Sequence, residues 1–165
     1  MILMNGRGQL GDALNKIICG VDCYIYHTWN IESKSDEIQQ KEYLKFVKFV
    51  DGHKDKRIVF ISTSHRFYSD YLHYKMLSEL YLWRNTTDGK VIRLDYILGK
   101  GKCERMKKGE YPFYDDVLRL RTAKQYACNI ISLCDTPSRL DVISGYPVNC
   151  ELVKELIDYG EKNYD

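Results

Sequence analysis

The strongest constraint on this chain sits at its start. A short apolar run, Met1 to Asn5, breaks into Gly6-Arg7-Gly8-Gln9-Leu10-Gly11, after which Leu10, Leu14, Ile17 and Ile18 recur at helical spacing. A G-x-G-x-x-G between an apolar strand and an apolar helix is the arrangement that cradles a pyrophosphate. One glycine permits the sharp turn, one lets the backbone approach the phosphates, and one lets the helix pack closely on the sheet. The helix N-terminus adds unpaired amides and a positive field. A glycine turn that merely joins strand to helix would leave the same pattern, so the rest of the chain has to supply the chemistry.

Beyond the turn, strand and helix signals alternate. Cys23 to His27 reads as a strand, Asp36 to Val50 as a helix, and Arg57 to Ser62 as a buried strand. Tyr71 to Arg84 carries Leu72, Met76, Leu80 and Trp83 on a helical stripe, and Lys90 to Leu94 is a further β-branched strand. Asn129 to Leu133 and Asp141 to Ser144 read as shorter strands, and Cys150 to Tyr159 as a closing helix. Leu98 to Asp115, rich in Gly and Lys, reads as a loop over a site. The alternation predicts an α/β fold: a Rossmann-like, doubly wound parallel sheet with ligands at the carboxyl ends of its strands. At 165 residues the chain fits a single domain, 1–165, with no room for a large separate substrate domain.

Charge and composition exclude several classes. The net charge is +2, and acidic and basic residues are interspersed apart from a basic stretch at Lys100 to Lys108, which argues against nucleic acid as a partner. No apolar run reaches the length of a membrane span, and Met1 to Met4 runs into glycines without the longer apolar stretch of a signal peptide. The expectation is a cytoplasmic protein with no membrane partner. The six cysteines are scattered without zinc-ligand spacing, so they read as reduced thiols and no metal is expected.

Tyr71 and Lys75 stand one helical turn apart on the same face. An ammonium near a phenol favours phenolate, lowering the tyrosine pKa toward the range where it exchanges a proton with a substrate alcohol or carbonyl. The spacing alone is weak in a chain with 14 tyrosines, and Tyr96 with Lys100 repeats it. Position separates the two, because Tyr71 and Lys75 lie in a helix directly after a buried strand, whereas Tyr96 and Lys100 straddle Gly99. The strand before that helix runs into Ser62-Thr63-Ser64, hydroxyls at the carboxyl edge that suit a reacting oxygen as well as they suit an ordinary turn.

Glycine turn, strand ending in Ser/Thr and helix with Tyr-x-x-x-Lys follow one another in the order seen in short-chain dehydrogenases/reductases. The chain resembles their extended, sugar-nucleotide branch, the dTDP-4-dehydrorhamnose reductase-like proteins, in Met1 to Leu14 with its Gly-Gln-Leu-Gly, in Arg57 to Ser64, and in Tyr71 to Glu79 with its Lys-x-x-x-Glu. Lys90 to Leu94 through Gly101 and Ser144 to Ile157 resemble the branch's next strand and its closing helix. The resemblance implies NAD or NADP as cofactor and a nucleotide-linked sugar as substrate. Tyr71 would then be the acid/base, Lys75 its partner on the nicotinamide ribose, and Ser64, with Thr63 as second choice, the group that polarises the substrate oxygen. Gly6, Arg7, Gly8, Gln9, Leu10 and Gly11 would hold the pyrophosphate, and His27 would line the cofactor cleft.

The chain is a truncated version of that pattern. The strand and helix units that normally follow the glycine helix are absent, and with them the residue that reads the adenosine ribose. Only six residues separate Ser64 from Tyr71, where the family has a longer substrate-lining segment. Losing the outer strands makes Met1 to Asn5 an apolar edge, which predicts a homo-oligomer. The alternative is a catalytically degenerate relative that keeps the fold and works as a binding or assembly module; a third reading gives the glycine loop another phosphate ligand.

Overall fold

The computed structural model describes residues 2–4, 8–17, 22–31, 33, 35–64, 68–98, 105, 108–109, 117–149, 152 and 155. In chain order the elements are β1 (Ile2–Met4), α1 (Gly8–Ile17), β2 (Tyr24–Tyr26), α2 (Asp36–Asp51), β3 (Ile58–Thr63) and α3 (Asp70–Asn85). They continue with β4 (Gly89–Leu94), β5 (Tyr96–Leu98), β6 (Val117–Thr122), α4 (Ala123–Cys134), β7 (Leu140–Ile143) and β8 (Tyr146–Asn149). Strands β1-β2-β3-β4-β7 form one wholly parallel sheet. Strands β5-β6-β8 form a small mixed sheet beside it. The architecture is the expected Rossmann-like α/β sheet, in a shortened form. No helix among the described residues is long and apolar enough to cross a membrane.

Period-two alternation along β3 divides the core into two layers. Val59 and Ile61 point to the side where Leu10 and Leu14 of α1 meet Tyr126, Ala127 and Ile130 of α4. Ile58 and Phe60 point to the other side, against Phe46, Phe49 and Val50 of α2 and Leu82 of α3. Both faces of a central strand are therefore apolar, which is why Ile58-Val-Phe-Ile61 is an unbroken hydrophobic run.

This layering exposes an irregularity. The chain steps from β1 to β2 to β3 in one direction across the sheet, yet α1 lies on one face and α2 on the other. Two consecutive crossovers are consequently of opposite hand, although parallel crossovers are overwhelmingly right-handed. Strand–helix units between α1 and β2, of the kind the resemblance leads one to expect there, would restore the usual hand, since α1 would then lead outward to strands beyond β1 before the chain returned. Among the described residues, β1 is an edge strand of the sheet.

Several expectations change. Asn129 to Leu133 is not a strand but part of α4, because Thr122 starts a helix with a capping box to Gln125, and Tyr126, Ala127, Ile130 and Cys134 bury one helical face. The stripe foreseen on α3 is also displaced: Met76 and Leu80 are exposed, and the buried face is Tyr74, Lys75, Ser78, Glu79 and Leu82. Leu98 closes β5, and most of the loop foreseen over 98–115 lies outside the described residues, as does most of Cys150 to Tyr159, of which Leu152 and Glu155 are helical. Cys23, Cys128 and Cys134 are free thiols.

Candidate active site

At the carboxyl ends of parallel strands, Gly8 opens α1 with φ +81°, a conformation that disfavours any side chain, and the space where a Cβ would project is open. No acidic residue stands in the first turn of α1, so its N-terminal field is not offset from within. Gln9 is half-buried, while Leu10 and Gly11 are buried against the sheet, which fixes the helix end at the edge of β1 and β2. Gly6 and Arg7 lie outside the described residues.

Across the site, α3 starts at Ser69, whose side chain accepts from Leu72 N at 3.2 Å. One turn apart along the helix, Tyr71, Lys75 and Glu79 share a face, and each finds a different environment. The Tyr71 hydroxyl hydrogen-bonds the Thr63 side chain at the end of β3. The Lys75 amine donates to Ile61 O at 2.9 Å and lies 4.5 Å from the ring centroids of both Trp29 and Phe60. Glu79 is turned away into a two-point ion pair, taking Arg93 Nε at 3.0 Å and Arg93 Nη2 at 2.5 Å.

These surroundings set the protonation states. Burial brings Lys75 down to about 7, only partly opposed by the charges of Glu79 and Glu42. Burial likewise pushes Tyr71 up to about 12, with the Thr63 hydrogen bond working the other way. The sequence predicts a phenol brought down by its lysine, and the structure shows the reverse. The amine lies 5.9 Å from the centroid of the Tyr71 ring and is bonded to a backbone carbonyl, so desolvation of the phenol dominates.

His27 follows β2, with its pKa lowered by burial first and by the Lys75 charge second, while Asp12 of α1 acts in the opposite sense. It therefore lies within electrostatic reach of both flanks of the site. Its Nε2 is buried without a hydrogen-bond partner, as are the Ser62 and Ser64 hydroxyls. Unsatisfied buried donors and acceptors are costly, and three at one edge fit a bound group carrying hydroxyls or an amide. The glycine-started helix suits a pyrophosphate in the same way. This donor set fits the pyrophosphate and nicotinamide ribose of a dinucleotide; among the described residues no strand lies beyond β1 for the adenosine end to rest on.

The structure thus brings Gly8, Gln9, Leu10, Gly11, His27, Thr63, Ser64, Tyr71 and Lys75 to one end of the sheet. It separates Tyr96, which falls in β5. Sequence reasoning did not find Trp29, Gln39 or Arg93. An aromatic just past a strand end, over the carboxyl edge, was the available signal for Trp29; nothing in the sequence marks Gln39.

No family model matches the chain, and no curated protein matches it. Solved structures do match. The dTDP-4-dehydrorhamnose reductase from Bacillus anthracis, in complex with NADP, superposes with a TM-score of 0.74 over 97% of this chain and 80% of its own, at 13% identity. The dTDP-4-dehydrorhamnose reductase ortholog from Clostridium acetobutylicum gives 0.74 over the same shares at 12% identity. The UDP-N-acetylglucosamine 4-epimerase from Bacillus cereus gives 0.66 over 95% of this chain and 69% of its own, at 14% identity. At these identities the likeness is one of fold: the chain has, in shortened form, the Rossmann-type architecture of sugar-nucleotide reductases and epimerases.

Proposed function

We propose that this chain is an NAD(P)-dependent oxidoreductase or epimerase acting on a nucleotide-linked sugar, with Tyr71 handling the proton. The observation that carries the reading is the Tyr71–Thr63 hydroxyl pair, with Lys75 one turn behind it, at the same carboxyl end of the sheet where the glycine-started helix α1 begins. The bound nicotinamide would supply or accept the hydride. The amides of Gly8, Gln9, Leu10 and Gly11, with Gly6 and Arg7, hold the pyrophosphate, and His27 and Lys75 serve the nicotinamide ribose. Ser64 and Thr63 orient the reacting oxygen. A phenol held at about 12 is a proton donor at neutral pH, which suits reduction of a sugar carbonyl, its oxygen taking the Tyr71 proton as negative charge develops.

Calorimetric titration with NADH and NADPH, beside Gly8→Asp, tests this. Binding to the folded protein that disappears in the variant supports the cofactor site and justifies a screen of nucleotide sugars. A folded protein that binds neither cofactor overturns the reading.

The cytoplasmic setting and the homo-oligomer belong to the same proposal. Met76 and Leu80, 48% and 44% exposed on successive turns of α3, give an assembly an apolar surface to cover, besides the edge at β1. Sedimentation that shows a monomer at all concentrations removes that part. The second reading, a degenerate binding or assembly module, is favoured by the cover over Lys75 and by the want, among the described residues, of a strand beyond β1 for adenosine. It predicts that Tyr71→Phe leaves biological activity intact.

A further inference from the structure

Trp29 and Gln39 have no part in the mechanism above, yet they make the most fully satisfied contact at the site. Gln39 is wholly buried in the first turn of α2. Its Oε1 accepts from the Trp29 indole Nε1 at 2.7 Å, and its Nε2 donates to Asn30 O at 2.9 Å and to Ser33 O at 2.5 Å. One buried amide therefore holds both the segment after β2 and the orientation of its indole. That indole lies over the Lys75 amine, 4.5 Å from ring centroid to Nζ, with Phe60 at the same distance and Ile61 O beneath. Lys75 is left 3% exposed. Of the three rings around the amine, Phe60 is wholly buried, and only Trp29 and Tyr71 reach the surface.

An amine enclosed in this way offers nothing to a ligand. The hydroxyls and imidazole nitrogen left unpaired nearby are at odds with a site finished by its own side chains, and the indole, unlike the Tyr71 ring on α3, stands on a segment outside helix and strand and is held by one side-chain hydrogen bond. We propose that Trp29, latched by Gln39, is a gate over Lys75: the structure is the closed state, and a ligand reaches the amine only when the indole leaves it. That the ligand is the nicotinamide riboside end of a dinucleotide rests on the proposed function; the gate itself does not. One indole hydrogen bond and one ring–amine contact bias the closed state by about ten- to a hundred-fold. The apparent affinity of any ligand that needs the open state falls by the same factor.

The test is run on the whole chain carrying Trp83→Phe, which leaves Trp29 as the only indole. Lysines are labelled with trinitrobenzenesulfonate and Lys75 is followed by peptide mass mapping, beside NADH titration monitored by indole fluorescence and by calorimetry. Trp29→Ala and Gln39→Leu are compared with Trp29→Phe, which keeps a ring but loses the latch and protects the test against a fold lost through the larger changes. The expected result is that Lys75 labels at least about tenfold faster in the variants, with circular dichroism unchanged, and that NADH binds more tightly to Trp29→Ala. Faster labelling without NADH binding in any form leaves the gate standing and removes the dinucleotide reading. Labelling of Lys75 at equal rates in all forms overturns the gate. So does weaker NADH binding in Trp29→Ala, which would make the indole part of the binding surface.

Discussion

Among the described residues two lysines are buried, and they are treated in opposite ways. Lys90, near the amino end of β4 and 1% exposed, is met by Asp141 Oδ2 at 2.5 Å, Thr136 Oγ1 at 2.6 Å, and Ser138 Oγ and O at 2.9 and 3.0 Å. Lys75, toward the carboxyl end of the sheet, has a single carbonyl and a shell of rings. Burial works against ionisation of Asp141, but Lys90 and Ser138 outweigh it and hold the carboxyl below its usual range. Glu79, the acid best placed to serve Lys75, is instead engaged by Arg93. A buried cation that only has to hold a fold is paired and saturated, whereas one left short of partners is held for something else.

Removing each lysine should separate these roles. Lys90→Met strands Asp141 and the Thr136–Ser138 turn, and should cost about 3 kcal/mol in urea unfolding. Lys75→Met leaves no stranded carboxylate and replaces an underserved amine with an apolar chain of similar length, so it should unfold no more easily than the parent at pH 7. Equal losses in the two variants would erase the distinction.

The pH dependence sharpens it. Folded Lys75 gives up its proton near 7, while the unfolded chain keeps it to 10.5. Between those values the unfolded state binds more protons, so stability rises with pH across that window, and below it the contribution is constant. From pH 7.5 to 9, wild type should gain about 2 kcal/mol relative to Lys75→Met. Parallel curves for the two proteins would show that Lys75 keeps an ordinary pKa.

The same contrast explains what the sequence discloses. The alternation of elements was legible because β3 is apolar on both faces and α2 and α3 are bounded by caps and polar turns. The strand foreseen at Asn129 to Leu133 failed because Ile130, Ile131 and Leu133 are too few to show a period of their own; the helix is dictated by Thr122 and Gln125, outside that segment. β6, at Val117-Leu-Arg-Leu-Arg-Thr122, was not foreseen, although its residues carry the alternation of a half-buried strand. On α3 the hydrophobic stripe pointed the wrong way, since the helix buries the polar Lys75, Ser78 and Glu79, each with a partner inside the fold, and leaves Met76 and Leu80 outside. Of the site, Tyr71, Lys75 and the hydroxyls of β3 were readable from order along the chain. The indole–glutamine latch was not, because Gln39 meets Trp29 only through the turn between β2 and α2.

Arg93 is the next point of leverage. In Arg93→Met, Glu79 stays buried without its guanidinium, one turn from Lys75, and becomes the nearest counter-charge to the amine. The Lys75 pKa should rise by about one unit, read from the ε-amine resonances of isotope-labelled lysine. An unchanged value would mean that the Glu79 carboxyl protonates instead of pairing, and that Arg93 supports only the fold.

The smallest change in stability belongs to Tyr71→Phe. It deletes one hydroxyl and its bond to Thr63, a loss of about 1 kcal/mol or less, because the half-buried ring keeps its packing. That modest effect makes the variant informative: the protein remains folded while the phenolic proton donor of α3 is gone. If the chain reduces a sugar carbonyl, turnover should fall at least about a hundredfold while NADH affinity stays within a small factor. If Tyr71 is only a strut between α3 and β3, stability and activity should move together, by the modest amount that one hydrogen bond supplies. A stability change with no functional change would assign this end of the sheet, like the end that holds Lys90, to the fold alone.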